Sequence, residues 1–276
     1  MSSSVEDSEE DLTRKQRREQ ARANRKAMEE AEAAGAARRR RLTQLAVVIG
    51  IVVAVVVVIV IATGGGSKKG IPTNKKEANQ NVTAVTQLLK GIPQSGNALG
   101  NPKAPVTLQY FGDLECPVCQ QFTLGALPAV IQKYVRSGKA RIEYRSLETA
   151  TREPETFKTQ QVAALAAGQQ KHMWDYIELF YREQGQEATG YVTESYLQGL
   201  ASQVPGLSLA NWSSARSDPT FANTVTSDAQ AANQVGFTGT PSFLIGKTGG
   251  PAKKLEYASL TDPASFESAI ENALKA

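Results

Sequence analysis

Hydrophobic and polar positions divide this chain into an amino-terminal part without a globular pattern and a carboxy-terminal part in which strand and helix periods alternate. Residues 45–62, LAVVIGIVVAVVVVIVIA, form an 18-residue run with no charged or strongly polar side chain. As a helix rising about 1.5 Å per residue, the run spans roughly 27 Å, close to the hydrocarbon thickness of a bilayer. A strand of this length exceeds the usual limit of about ten residues, whereas a helix satisfies its own backbone hydrogen bonds in lipid. The pattern predicts a transmembrane helix over 42–63. Arg38, Arg39, Arg40 and Arg41 precede the run, and only Lys68 and Lys69 follow it closely. Positive residues stay inside, so residues 1–41 are expected in the cytoplasm and the rest beyond the membrane. A cleaved signal peptide is the competing reading, but both the leader and the apolar run are longer than such signals, so an uncleaved signal anchor is expected.

The segment 1–41 is rich in Ala, Glu, Arg and Lys and lacks an apolar stripe. It reads as a charged, disordered or helical tail whose basic end lies near anionic headgroups. Residues 64–100 carry Gly, Ser, Asn, Lys and Pro and read as a linker, with one short ordered piece around Val82–Leu89. A mixed α/β domain is expected over 101–276. Pro105–Phe111 reads as a buried strand, and a helical stretch follows from Cys116 to Gly138. Ala140–Leu147 alternates as a second strand. Helical periods recur around Val162–Tyr181, Glu194–Val204 and Pro219–Val235. Ser242–Ile245 and Leu255–Tyr257 are strand candidates, and the last helix is capped by Asp262, with Pro263 in its first position.

Composition changes this picture mainly by exclusion. Of 276 residues, 41% are hydrophobic and 21% charged, which excludes a wholly disordered or multi-span chain. Residues 1–44 hold 11 of the 31 Lys and Arg and 9 of the 27 Asp and Glu, so neither part is strongly basic. No basic stretch interleaved with aromatics follows residue 70, and nucleic acid is set aside as a partner. The only two cysteines, Cys116 and Cys119, lie three apart, and His172 is the only histidine. A disulfide scaffold and a His-rich metal site are both excluded. Zinc would need a second chain to complete its ligands, so no metal is expected. His172 reads as a surface or packing residue, and the sequons at Asn81 and Asn211 are short, frequent patterns.

The chemistry therefore rests on C-x-x-C. A cysteine at a helix amino terminus meets unpaired N–H groups and the positive end of the helix dipole, which stabilise its thiolate. Pro117 suits the first turn, since it has no N–H to lose. Cys116 is then the attacking thiolate and Cys119 the buried resolving thiol. Val118, between them, can neither donate to the thiolate nor carry charge. Glu115 would raise the Cys116 pKa if its carboxylate lies close, or it points to solvent. Asp113 and Glu115 are candidates for moving the proton of Cys119.

Tyr110–Phe122, YFGDLECPVCQQF, resembles the active-site strand and helix of the DsbA-like thiol:disulfide oxidoreductases of the thioredoxin superfamily. Val235–Ile245, VGFTGTPSFLI, is similar to that family's G-x-x-G-T-P-x-F segment, and Gly168–Phe180 to its helical insertion. The resemblance covers about Gly91–Ala276. It implies a thioredoxin-like α/β fold with a helical insertion at about 154–235, which the hydropathy and charge pattern places after one transmembrane helix and a charged cytoplasmic tail. It implies Cys116 as nucleophile, Cys119 as resolver, Pro117 and Val118 as the intervening motif, and Thr240 with a cis Pro241 as the edge that binds an extended substrate. The implied function is exchange of the Cys116–Cys119 disulfide with cysteines of exported proteins, as oxidase. No cofactor is needed, and a membrane reoxidant of the DsbB or vitamin-K-epoxide-reductase-like kind is the implied partner beside the lipid bilayer. A reductase or isomerase on the same fold, and a non-catalytic tethered peptide-binding module, remain the alternatives. Because Val118 replaces the histidine of the most oxidising relatives, the Cys116 pKa and the potential are expected between those of thioredoxin and the strongest oxidants.

Overall fold

The computed structural model describes residues 74–276. The cytoplasmic tail expected at 1–41, the membrane helix at 42–63 and the first residues of the linker lie outside them. Among the described residues no helix is long and apolar enough to cross a membrane.

The first element overturns part of the expected linker. Helix α1 spans Lys75–Leu89, and the Asn74 side chain caps it by accepting from the Lys76 N–H at 2.9 Å. Its sequence is mostly polar, but Val85, Leu88 and Leu89 fall on one face and are buried in the main core together with Ile92. A two-residue hairpin follows, β1 (Gln94–Ser95) and β2 (Ala98–Leu99), and β2 pairs antiparallel with the later strand β4. Residues 75–99 thus belong to the folded domain, anchored by a narrow apolar stripe that composition conceals.

Strand β3 (Val106–Gly112) leads into α2 (Pro117–Leu124) and α3 (Ala126–Val130), which ends in a π-helical turn, Ile131–Val135. These helices form the crossover that lets β4 (Ala140–Ser146) pair parallel with β3. Five helices then occupy the interval before the next strand: α4 (Pro154–Gln169), α5 (Met173–Arg182), α6 (Glu194–Gln203), α7 (Leu209–Ala215) and α8 (Pro219–Gln234). Strand β5 (Ser242–Lys247) pairs antiparallel with β3, and β6 (Ala252–Lys254) with β5. The sheet order is β1-β2-β4-β3-β5-β6. The last strand lies earlier than Leu255–Tyr257, where the sequence places it. Its register is set by the turn that pairs Gly246 with Ala252, and all three of its residues are exposed, so no hydrophobic pattern marks it.

Helix α9 (Ala264–Lys275) packs Phe266, Ile270 and Ala273 onto the sheet; Pro263 takes its cap position rather than its first turn, and Asp262, one residue earlier, accepts from the Ala264 N–H at 2.9 Å. Phe122, Phe243 and Phe266 meet beneath α2, with ring centroids 4.7–5.0 Å apart. On the opposite face a smaller cluster of Phe111, Leu147, Ala232 and Leu244 seats α8.

The registers bring three connections to one end of the sheet. Gly112, the last residue of β3, lies beside Ser146, the last of β4, and Phe111 pairs with Ser242, the first of β5. The loops that follow β3 and β4 and the turn that precedes β5 therefore meet at that end. Gly112 is required there, since a Cβ would lie 2.8 Å from the Tyr144 ring.

Candidate active site

Cys116 occupies the cap position of α2, with Pro117 in the first helical position. Its N–H donates to the Asp113 carbonyl at 3.0 Å, closing a tight turn between β3 and α2. Cys119, one turn on, is fully buried, and Cys116 is 5% exposed. Both are free thiols. Val118, between them, is 39% exposed, so the residue that distinguishes this motif stands at the surface beside the reactive sulfur.

The turn before β5 comes to the same place. The peptide bond between Thr240 and Pro241 is cis. The Cys116 thiol lies 3.6 Å from the Thr240 carbonyl oxygen, to which it donates. The Thr149 and Thr240 hydroxyls are hydrogen-bonded to each other, and the Tyr257 hydroxyl donates to the Pro241 carbonyl at 3.3 Å.

This arrangement separates the two thiols electrostatically. A hydrogen bond from Cys119 is the largest influence on Cys116. Burial opposes it, and Thr240 and the N–H groups of Cys119 and Val118 add to it, so the Cys116 pKa falls to about 6. That lies between the values of about 7 in thioredoxin and about 3.5 in DsbA. Burial pushes the Cys119 thiol well above its usual value, and the neighbouring Cys116 adds to the rise. Of the two sulfurs, Cys116 therefore holds the larger thiolate fraction and is the better leaving group, while Cys119 favours the protonated thiol.

The two carboxylates before the motif differ in setting. Asp113 is fully buried, and its Oδ2 accepts from the N–H groups of Thr149, Ala150 and Thr151 at 2.8–3.0 Å. Its Oδ1 accepts from the Glu115 N–H and the Thr151 hydroxyl. Both oxygens are committed, which makes Asp113 the anchor between the β3–α2 and β4–α4 connections. Glu115 is buried rather than solvent-facing. Burial raises its pKa, a Thr151 hydrogen bond opposes the rise, and the charges of Asp113 and Glu187 reinforce it.

Several residues at the site carry no signal in the sequence. Tyr181 donates its hydroxyl to the Asp113 carbonyl at 3.1 Å and accepts from Tyr110 at the same distance. Gln184 donates to the carbonyls of Leu114 and Cys116. They come from α5 and the turn after it, and their partners are mainly backbone groups, which no side-chain motif announces. His172 pairs instead with Asp175, its Nδ1 lying 3.3 Å from the Asp175 carboxylate. Among the described residues no group of three or more His, Cys, Asp or Glu side chains is placed to hold a metal ion.

Comparison with known proteins agrees with this geometry. A family model described as Thioredoxin matches residues 94–271. The disulfide bond formation protein D of Bacillus subtilis (strain 168) is 24% identical over 177 residues, covering 62% of this chain and 75% of that protein. The probable disulfide bond formation protein D of Bacillus anthracis is 23% identical over 155 residues, covering 54% and 68%. Among solved structures, oxidised BdbD from Bacillus subtilis superposes with a TM-score of 0.56 at 21% identity, over 67% of this chain and 97% of that one. Wolbachia pipientis alpha-DsbA1 gives 0.54 at 18% identity, over 68% and 92%. The structural matches carry the fold, while the match to the family model spans strands, insertion and both halves of the site. The chain belongs to the thioredoxin family and is a protein-disulfide oxidoreductase.

Proposed function

We propose that the protein is a thiol:disulfide oxidase acting on exported proteins, tethered by the 42–63 helix with its catalytic domain outside the cell membrane. The low pKa of Cys116 beside a buried Cys119 carries this reading, since stabilising the reduced thiolate makes the paired disulfide oxidising. The names of the Bacillus relatives point in the same direction.

A substrate thiolate attacks Cys116 Sγ in the disulfide form. The Cys116–Cys119 bond breaks, a mixed disulfide forms, and Cys119 leaves with the electron pair and takes a proton. A second substrate thiolate attacks the substrate sulfur of the mixed disulfide, forming the substrate disulfide and expelling Cys116 as a thiolate. Two electrons pass to the cysteine pair without a bound cofactor. A membrane partner of the DsbB or vitamin-K-epoxide-reductase-like kind then removes them. Glu115, buried one residue before Cys116, and Asp113 are the candidates for moving the Cys119 proton. The substrate docks as an extended strand against Thr240 and Pro241, where backbone contacts make binding nearly independent of its sequence.

Trapping tests the reading. Cys119→Ala cannot resolve the mixed disulfide, so in cells it should accumulate adducts of exported proteins through Cys116. A variant that captures nothing would favour a non-catalytic binding module.

A further inference from the structure

Because residue 117 is proline, the peptide group carrying the Cys116 carbonyl has no N–H, and its orientation can be fixed only through its oxygen. That oxygen accepts from the Gln120 N–H at 3.1 Å, the first bond of α2, and from Gln184 Nε2 at 3.2 Å. The same Nε2 donates to the Leu114 carbonyl at 2.7 Å. On the other side of that peptide group, the Glu115 N–H is held by Asp113 Oδ1 at 3.1 Å. The 114–115 peptide plane is therefore tied at both ends, and the 116–117 plane at its single polar atom. Both hydrogens of one amide nitrogen are used.

Gln184 is itself buried and well placed for this task. Two turns of contact fix the segment that carries it: Tyr181 donates its hydroxyl to the Asp113 carbonyl, and Gln120 of α2 returns a 2.6 Å hydrogen bond to the Tyr181 carbonyl. The insertion thus holds three carbonyls of the β3–α2 connection, those of Asp113, Leu114 and Cys116, with neutral donors.

We propose that Gln184 is a positioning residue for the reactive sulfur: by holding the Leu114 and Cys116 carbonyls it keeps the first turn of α2 aimed at Cys116 Sγ. The assignment rests on Cys116 being the exchanging sulfur. The N–H groups of Val118 and Cys119, which favour the thiolate, lie in that turn. Without Gln184 the 116–117 plane is held by the Gln120 bond alone, so its carbonyl dipole is less firmly kept away from the sulfur, where it would disfavour the thiolate. A lysine or arginine could hold the same carbonyls, but its full charge would act on the thiolate directly. An amide holds the backbone and leaves the tuning to the helix terminus.

The test uses the full chain with Gln184→Met, which keeps the size and removes both donors. The thiolate is titrated by its ultraviolet absorbance, and the equilibrium with glutathione is measured. The Cys116 midpoint should rise above about 6. The equilibrium constant for oxidising glutathione should fall about tenfold, equivalent to about 30 mV for a two-electron couple. Gln203→Met removes an amide that donates to Glu183 at 2.9 Å without touching the connection. It should lower stability and leave both readouts at their wild-type values. If Gln184→Met does not fold, Gln184→Asn withdraws the amide by one methylene and gives the same readouts. A folded Gln184 variant with the wild-type titration and equilibrium overturns the proposal. The wild-type potential measured alongside bears on the oxidase reading alone.

Discussion

The thiol of Cys116 lies 3.6 Å from the backbone carbonyl of Thr240, across the gap between a helix cap and the turn that starts β5. The two residues are far apart in the chain and meet because β3 and β5 pair antiparallel with Phe111 opposite Ser242. The Thr240 side chain also favours the Cys116 thiolate. Thr240→Val keeps the backbone edge and removes the hydroxyl. Its Cys116 titration should move up by about one pH unit, as expected for losing one hydrogen bond to a charged group. Thiolate absorbance across the transition checks this, and an unmoved midpoint would leave the hydroxyl without a role.

Val118 sets a second expectation. It stands 39% exposed beside Cys116, with room for a larger side chain. Val118→His would supply a positive charge next to the thiolate and bring the Cys116 midpoint below about 6, with a more oxidising disulfide. A histidine variant with the wild-type equilibrium against glutathione would show that residue 118 does not set the potential.

The thiol also links stability to pH. Cys116 titrates at about 6 in the folded reduced protein. An unfolded cysteine titrates at about 8.5, so the folded pKa is depressed. The stability it contributes is fully present above the unfolded value and lost as pH falls through the folded one. The disulfide form has no such contribution. Thermal melts of both forms should show the reduced form gaining on the oxidised form between about pH 6 and 8.5. A difference that does not change with pH would contradict the assigned shift.

Asp113 is expected to matter for stability first. Asp113→Ala removes the buried acceptor shared by the N–H groups of Glu115, Thr149, Ala150 and Thr151, of which those of Glu115 and Thr151 are themselves buried. Several unsatisfied donors of about 1–3 kcal/mol each, partly relieved by relaxation, predict a loss of about 3–5 kcal/mol by denaturant unfolding. A fully stable variant with slowed exchange would instead mark Asp113 as a proton carrier.

The sequence marks the parts of this molecule unequally. The cysteine pair, the helix it starts and the strand before it could be read because each leaves a local mark: β-branched and aromatic residues, a glycine, a proline at the first helical position. Helix α1 was hidden because Val85, Leu88 and Leu89 are few among polar neighbours and bury themselves only against the rest of the domain. Strand β6 lies ahead of the residues that its hydrophobic pattern suggests because the Gly246–Ala252 pairing, not hydrophobicity, sets its register. Gln184 and Tyr181 were invisible for another reason. Their task is to hold backbone carbonyls of a segment about 70 residues away, and nothing in the residues themselves records which carbonyls the fold will bring to them.

A buried carboxyl away from the cysteines offers an independent test of the packing. Glu178 on α5 is fully buried, and neither carboxylate oxygen has a hydrogen-bond partner among the described residues. Arg182 lies 3.5 Å away. Burial raises its pKa to about 7, against the attraction of Arg182. Since an unfolded Glu titrates near about 4.3, the folded pKa is raised, and the stability from its bound proton is lost as pH rises through the folded value. Glu178→Gln should be more stable than wild type at pH about 8, by about 2 kcal/mol, with a flatter pH dependence below neutrality. A variant less stable at that pH would show that the ion pair outweighs the burial of the charge.

The most direct test of the account is the reduction potential of the Cys116–Cys119 pair in the full chain, equilibrated with glutathione buffers. An oxidase with Cys116 at about 6 should lie between the thioredoxin value of about −270 mV and the DsbA value of about −120 mV. A potential at or below about −270 mV would contradict the account and identify a reductase on the same fold.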